Sequence, residues 1–363
     1  MSTLYNQDNI ASIIQLNHYL TKKFLSMRIS VLIISLIITI TACRHNYSEI
    51  LEINGLTMGT TYSIKIKTDN GYADKKRIRS DIEDILSGIN QSMSTYTKES
   101  ELSIINFSKT SDWQSVSKDL FTIIDDANKI SIKTEGAFDI TIGPLVNLWG
   151  FGPDKVENKI PSDQIIESVK ENTGFQKILL DKLNKKILKS NPNLYMDLSG
   201  IAKGFAVNKI ALYLDKKGFK NYLIEIGGEL MGKGRNKDKE IWQIGIENPN
   251  SNSDTIRHIV QLKNMAMATS GNYKKYFEKD GIRYSHTINP VTGKPIKHKL
   301  ASVTVLDYSA TNADALATAF MVLGPEKALL LANSLKIPIY LIIKNDEYFE
   351  EKYNDYFAPF IFN

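Results

Sequence analysis

The sequence predicts an α+β fold in which mixed and antiparallel sheets pack with helices. Strands and helices alternate irregularly, several short strands follow one another as hairpins, and no internal repeat or linker divides the chain. With 363 residues, 42% of them hydrophobic, the chain can bury one large core or two fused ones.

The N-terminus stands apart from this domain. After Met27-Arg28, residues 29–40 are only Ile, Val, Leu, Ser and Thr, and Thr41-Ala42-Cys43 follows. A twelve-residue stretch of this kind, nine of its residues apolar, is too short to anchor stably across a bilayer core of about 30 Å, but it suits the apolar stretch of a signal peptide. Ile40-Thr41-Ala42-Cys43 resembles a bacterial lipobox, so Cys43, the only cysteine, is the expected lipidation site. Residues 1–43 are thus read as an extension plus lipoprotein signal peptide (core Met27–Cys43), with Met27 as a candidate start. Residues 44–49 are a tether, 50–345 the folded domain and 346–363 a C-terminal tail. The expected location is the bacterial cell membrane, lipid-anchored on its extracytoplasmic face. With one cysteine the chain forms no internal disulfide.

Within the domain, alternation of Tyr62, Ile64 and Ile66 with polar residues predicts one strand over Leu56–Lys67. Ile78, Ile82, Ile85 and Ile89 recur at helical spacing and predict a helix over Asp74–Met93. A Ser cap opens a second helix, Ser117–Thr134, which closes near Gly136. Residues 150–163 read as a loop, followed by a short helix Ser162–Glu171 and a hairpin Lys177–Lys189. A helix over Ser199–Lys217, ended by Gly218, precedes strands at Asn221–Ile226, Ile241–Glu247, Ile256–Leu262 and Ser302–Leu306. Helices over Asn312–Leu323 and from Pro325 to Leu335 lead into a closing strand, Ile337–Lys344.

The net charge of +5 is spread along the sequence with no dense basic block, so nucleic-acid binding is not implied. Gly227 to Lys233 approaches a phosphate-binding loop, but Gly234 stands where a hydroxyl must bind Mg²⁺, and a charged turn follows instead of a helix. No CxxC, no pair of His at i,i+4 and no GxSxG elbow is present.

Four segments remain. On the helix at 312–323, Asp314 and Thr318 lie four residues apart and present two hard oxygens to one point. That suits Mg²⁺, which takes one or two protein ligands plus waters and phosphates; it suits a solvated helix face as well. Asp197 to Gly204 joins a strand-like entry to a helix that Ser199 could cap, with Lys203 one turn in; Asp197 and Lys203 could also pair on the surface. Gly136 to Pro144 sets Asp139 in an apolar run, where an ionised group must be paired or hydrogen-bonded. Ser285 to Gly293 places His286 before a Pro/Gly turn.

Eight motifs in order now carry a resemblance over residues 50 to 345. They are Thr57-Met58-Gly59-Thr60-Thr61-Tyr62; Met93-Ser94-Thr95-Tyr96 with Ser100-Glu101-Leu102-Ser103 and Asn106; Gly136 to Pro144 with Asn147 to Gly152; and Asp197 to Gly204. Glu225 to Glu229, Ala268 to Gly271, His286 to Pro290 and Ala313 to Ala319 complete the series. Together they resemble the ApbE-type FAD:protein FMN transferases. The resemblance implies an ApbE-like fold with a flavin cleft between sub-lobes. It also implies Mg²⁺-dependent transfer of FMN from FAD, as substrate, onto a Ser or Thr hydroxyl of an acceptor flavoprotein subunit, releasing AMP. FAD would lie against Met58 and Tyr96, with Ala137, Phe138 and Asp139 lining the pocket and Asp197, Lys203 and Ile288 completing it. Mg²⁺ would be held by the side chains of Asp314 and Thr318 and the carbonyl of Gly200. His286 is the candidate proton acceptor, with Asp314 orienting it. Hydrolysis of FAD to FMN and AMP, or flavin binding without catalysis, are the alternatives.

Overall fold

The computed structural model describes residues 13–29, 48–69, 74–152, 160–248, 256–272, 276–279, 282–345 and 348–362. Two units separate, Met1–Tyr47 and Ser48–Asn363. In the first, residues 13–29 form a helix exposed throughout. Most of the apolar run, and Cys43 with it, lies outside the described residues. Among those described, no helix is long and apolar enough to cross a membrane.

An eight-stranded antiparallel sheet organises the second unit, and its strands lie side by side in chain order. They are β1 (Ser48–Thr57), β2 (Thr60–Asp69), β3 (Tyr222–Ile226), β4 (Glu229–Lys233), β5 (Met265–Gly271), β6 (Leu300–Asp307), β7 (Ile339–Lys344) and β8 (Phe349–Tyr353). Everything else is inserted between neighbours of this meander. The α+β expectation therefore holds. The single strand expected over Leu56–Lys67 is instead a hairpin, because Met58 (φ 49°) and Gly59 (φ 71°) turn the chain between the paired Thr57 and Thr60. Two successive positive φ values match the twist of a two-residue hairpin. Met-Gly is not the usual sequence for that turn, so alternation alone ran through it.

The helices are α1 (Lys75–Met93), α2 (Glu101–Phe107), α3 (Lys118–Lys133), α4 (Gly143–Leu148), α5 (Asp163–Lys170), α6 (Ala202–Lys216), α7 (Ala310–Leu323) and α8 (Pro325–Leu335). Of these, α1, α6, α7 and α8 lie on one face of the sheet, and α4 and α5 pack in a cluster of their own. The α1 face that packs inward is Ile78, Ile82, Leu86, Ile89 and Met93, close to the expected stripe. Asp74, Ser117 and Ser162 cap α1, α3 and α5 through their side chains, as the residue types suggest. α2 was not expected; at seven residues it shows too few turns to declare a period. Opposite the helices, a small sheet of Trp242–Glu247, Ile256–Leu262 and Ile361–Phe362 covers the other face.

The central strands of the sheet are thus buried on both sides. In β7, Ile339, Leu341 and Ile343 join the helix-side core, while Tyr340 and Ile342 join the second core with Trp242, Val260 and Phe357. That is why the strand reads as an unbroken apolar run. Residues after 345 are not a tail. β8 pairs along β7, and Ile361–Phe362 pairs with Val260 and Ile259. The Asn354 amide accepts from the N–H groups of Ile339 and Phe357 and donates to the Ile337 carbonyl, and Phe357 is wholly buried. Phe357→Ala should lower stability by about 3–5 kcal/mol, the usual range for a buried Phe. A shift in the urea midpoint measures it; an unchanged midpoint would return this segment to a tail.

Candidate active site

The site forms where α6 and α7 cross at the end of the sheet that carries the β1–β2 and β3–β4 turns. The loop entering α6 is held from both sides. The Asn106 side-chain amide accepts from the Met196 N–H and donates to the Met196 carbonyl, each at 2.8 Å, and the Asp197 N–H donates to Ile140 O at 2.6 Å. Asp197 then folds back to accept the Ser199 N–H at 2.8 Å. Ser199 therefore does not cap the helix, which starts later, at Ala202, with no side-chain cap of its own.

The missing cap comes from the other helix. Asp314 Oδ2 accepts the Gly204 N–H at 2.9 Å, so a carboxylate from α7 satisfies a donor in the first turn of α6. Only glycine permits this approach, since a Cβ at 204 would lie 2.2 Å from Ala310 O and 2.8 Å from Asp314 Cβ. One turn on, Thr318 faces Gly200: a Cβ there would sit 3.2 Å from Thr318 Oγ1 and 3.3 Å from the Phe138 ring. Asp314, Thr318 and Gly200, predicted to act together, are brought together. Gly204→Ala should cost at least about 2–3 kcal/mol through overpacking, and shift Asp314 enough to cut turnover about 100-fold. Thermal unfolding and single-turnover rates check the two effects separately.

Lys203 points into the same crossing. Its Nζ lies 3.0 Å from Glu229 Oε2, as an ion pair and not an aligned hydrogen bond, and 3.8 Å from Asp314 Oδ1. The Asp197–Lys203 surface pair is thus corrected: Lys203 reaches inward to two acids because its stem passes Gly227. At that position φ is +57° and a Cβ would be 3.3 Å from Lys203 Cδ and 2.7 Å from Thr60 Cγ2. Gly227-Gly228 is a hairpin turn between β3 and β4, consistent with rejecting a phosphate loop.

Two acids and one base are buried here. Burial, then the Asp314 charge, push the Glu229 carboxyl up to about 8, against the lowering effect of Lys203. Burial pulls Lys203 down, but Asp314 and Glu229 outweigh it and hold the ammonium above its ordinary range. At neutral pH the raised Glu229 carboxyl holds a proton and Lys203 balances Asp314; once both acids are ionised, one lysine no longer suffices. Glu229 was missed as a site residue. Its signal was an acid directly after Gly-Gly at the start of an apolar strand.

The other expected residues divide into three groups. Met58 holds its left-handed backbone at the β1–β2 turn beside Thr60, and so borders the Gly227 turn; for a non-glycine such a φ is uncommon. Tyr96 is 73% exposed, its hydroxyl held above the ordinary value by partial burial and by the Asp197 charge. Ala137 and Phe138 are buried wall residues. Asp139 is not available to a ligand through its side chain: Oδ1 accepts from the Thr141 N–H and O–H, and Oδ2 from the Phe175 N–H. Burial raises its pKa despite those bonds.

Ile288 and His286 belong to a separate cluster. Ile288 packs with Trp149, Leu145 and Tyr284, and the His286 ring meets Phe151 edge-on at 6.3 Å. Trp149 Nε1 donates to Gly293 O at 2.8 Å and closes the turn that follows. The Asp314 oxygens lie against the Gly204 N–H and Lys203. A cavity of about 330 Å³ lies between the β1–β2 hairpin and α1, lined by Leu56, Tyr62, Leu86, Asn90 and Thr97, and includes none of the cluster.

Among the described residues no group of three His, Cys, Asp or Glu could hold a metal. The donors at hand are one carboxylate, one hydroxyl and a carbonyl, a hard-oxygen set that leaves room for substrate phosphates.

Comparison with known proteins places these features in a known frame. A model of the ApbE family matches residues 58–341. The FAD:protein FMN transferase of Vibrio cholerae is 43% identical over 314 residues, 86% of this chain and 93% of that protein. The one from Haemophilus influenzae is 40% identical over 336 residues, 91% of this chain and 96% of its own length. The solved flavin transferase ApbE of Vibrio cholerae superimposes with a TM-score of 0.80 at 42% identity, over 86% of this chain and 99% of that one. The ApbE protein of Thermotoga maritima gives 0.76 at 30% identity, over 87% and 100% of the two chains.

Proposed function

The chain belongs to the ApbE family, and from that premise we propose how its own residues carry out FMN transfer. It is an enzyme that moves FMN from FAD onto a protein. The observation that supports the reading is the buried meeting of Lys203, Glu229, Asp314, Thr318 and Gly200 at one helix crossing.

FAD as substrate takes its place between the Met58 turn, the exposed face of Tyr96 and the Ala137–Phe138 wall. Tyr96 offers a flat ring for stacking. Asp139 fixes that wall by holding its own turn, and Ile288 with the Trp149 cluster bounds the pocket. Lys203 sets a cation beside the diphosphate. Mg²⁺ would be held by Asp314, Thr318 and the Gly200 carbonyl, where it supplies neutralisation of charge on the phosphate oxygens. These ligands fit, because a carboxylate, a hydroxyl and a carbonyl brought together at the helix crossing are a hard-oxygen set.

The acceptor is a Ser or Thr hydroxyl on a flavin-carrying protein subunit. Its oxygen attacks the phosphorus that bears riboflavin, the bond to the AMP oxygen breaks, and AMP leaves. His286 takes the hydroxyl proton. Cys43 carries the lipid that holds the protein to the extracytoplasmic face of the membrane; the supporting observation is the Ile40 to Cys43 sequence at the end of the apolar run.

Incubation with FAD, MgCl₂ and a membrane extract, followed by in-gel fluorescence, tests the transfer step. Covalent flavin on an extract protein, lost with EDTA and in Thr318→Val, is the expected result. FAD consumed to FMN and AMP with no labelled protein would make the enzyme a hydrolase instead.

A further inference from the structure

The two ends of the sheet differ in charge. The site occupies the end with the Met58–Gly59 and Gly227–Gly228 turns. At the opposite end the chain enters β1 at Ser48, which pairs with Asp69. There the Lys67 N–H bonds to Asn221 O, and the Asn221 side chain accepts the Arg235 N–H, so the loops before β3 and after β4 share this end. The Asn264 side chain accepts from Gly234 and brings in the turn before β5. Lys217 pairs with Asp81 at 3.2 Å, which seats the first turns of α1 beside the last turn of α6.

Each of these segments presents exposed basic side chains. The first turn of α1 is Lys75-Lys76-Arg77 with no acid, an arrangement that the helix dipole disfavours. Lys216 and Lys220 follow on the end of α6 and its loop, and Lys237 and Lys263 on the turns beside β4 and β5. The exposed acids among them are Glu49, Asp74, which caps α1, Asp238 and Glu240, fewer than the seven exposed basic residues Lys75, Lys76, Arg77, Lys216, Lys220, Lys237 and Lys263. The positive charge that is diffuse along the sequence is gathered by the fold at one rim.

We propose that this rim docks on anionic phospholipid headgroups, with the strands standing up from the bilayer and the site directed away from it. Four residues separate Cys43 from Ser48, a reach of at most about 18 Å over five Cα–Cα steps. A chain anchored at Cys43 therefore holds the rim close to the headgroups, within one or two Debye lengths. The ten-residue β1 spans about 33 Å, so the Met58 turn stands about that far above the lipid. Acceptor hydroxyls are then met in an extramembrane segment and not at the bilayer surface. A nucleic acid would use the same charge, but the entry of the tether at this rim favours lipid. The charge argument stands without the lipid anchor, and the test leaves the anchor out.

Residues 48–363 hold every core cluster, so the chain from Arg44 onward folds by itself. Its co-sedimentation with vesicles of phosphatidylcholine, with and without phosphatidylglycerol, tests the rim. Binding to the anionic vesicles alone, lost at high salt, is expected. K75E/K76E/R77E should weaken it at least tenfold, as should K220E/K237E/K263E, while K182E/K185E/K327E leaves it unchanged and all three keep FMN transfer in solution. Equal binding to neutral vesicles, an equal loss in the control variant, or tighter binding to duplex DNA than to anionic vesicles would overturn the proposal.

Discussion

Asp314→Asn should reduce FMN transfer at least about 100-fold while leaving the metal-free protein as stable as before, or more so. The first part follows from charge. Asn keeps an oxygen for the Gly204 N–H but no longer offers a carboxylate to a divalent cation, and losing one electrostatic contact of this kind costs about 10²–10³ in rate. The second part follows from the imbalance at the helix crossing. Asp314 raises the Glu229 pKa and shares one lysine with it, so neutralising Asp314 leaves a matched Lys203–Glu229 pair. Addition of Mg²⁺ should raise the unfolding temperature of the parent protein and not that of the variant; at 100-fold excess over Kd the gain is about 2.7 kcal/mol. Asp314→Ala is less informative, because it leaves the Gly204 donor unsatisfied in a buried place. Full activity in the Asn variant would remove the metal from this site.

Asp314 and Thr318 were readable in the sequence because helical spacing is local: any helix over 312–323 sets them on one face. Local patterns also gave α1, α3 and the capping residue Ser117. What could not be read is what each group meets across the chain. Lys203 looked like a partner for Asp197, six residues away, yet it faces Glu229 and Asp314, which arrive from β4 and α7. Asp139 looked like a ligand-facing acid, yet its oxygens are used within its own turn and by Phe175. The Met58 turn was hidden for a different reason. A left-handed methionine breaks local preference, and conflicts of that kind gather at functional sites, where surrounding packing overrules propensity. β5 was overlooked on composition, since Met, Ala, Ser and Gly are weak strand formers held here by neighbours on both sides.

Lys203→Met should destabilise the protein by about 3–5 kcal/mol, because it strips the only cation from two buried carboxylates. The loss should also depend on pH in a defined sense. Glu229 titrates near 8 in the folded parent, well above its ordinary value, so between those limits the folded state holds more protons than the unfolded one. Stability contributed by this group is present in acid and is lost as pH rises through the folded pKa. Without the lysine the Glu229 carboxyl loses its one lowering partner and rises further. The gap in unfolding temperature between variant and parent should then be smallest near the ordinary carboxyl pKa and widen steadily toward pH 8. Lys203→Arg should close part of it, since a cation is restored in a broader shape. Mg²⁺ should narrow the gap as well, because a divalent ion at Asp314 replaces the charge that was removed. A gap that stays constant with pH and ignores Mg²⁺ would mean that the lysine acts through packing of its stem against Gly227, and that the acids are balanced by something other than Lys203.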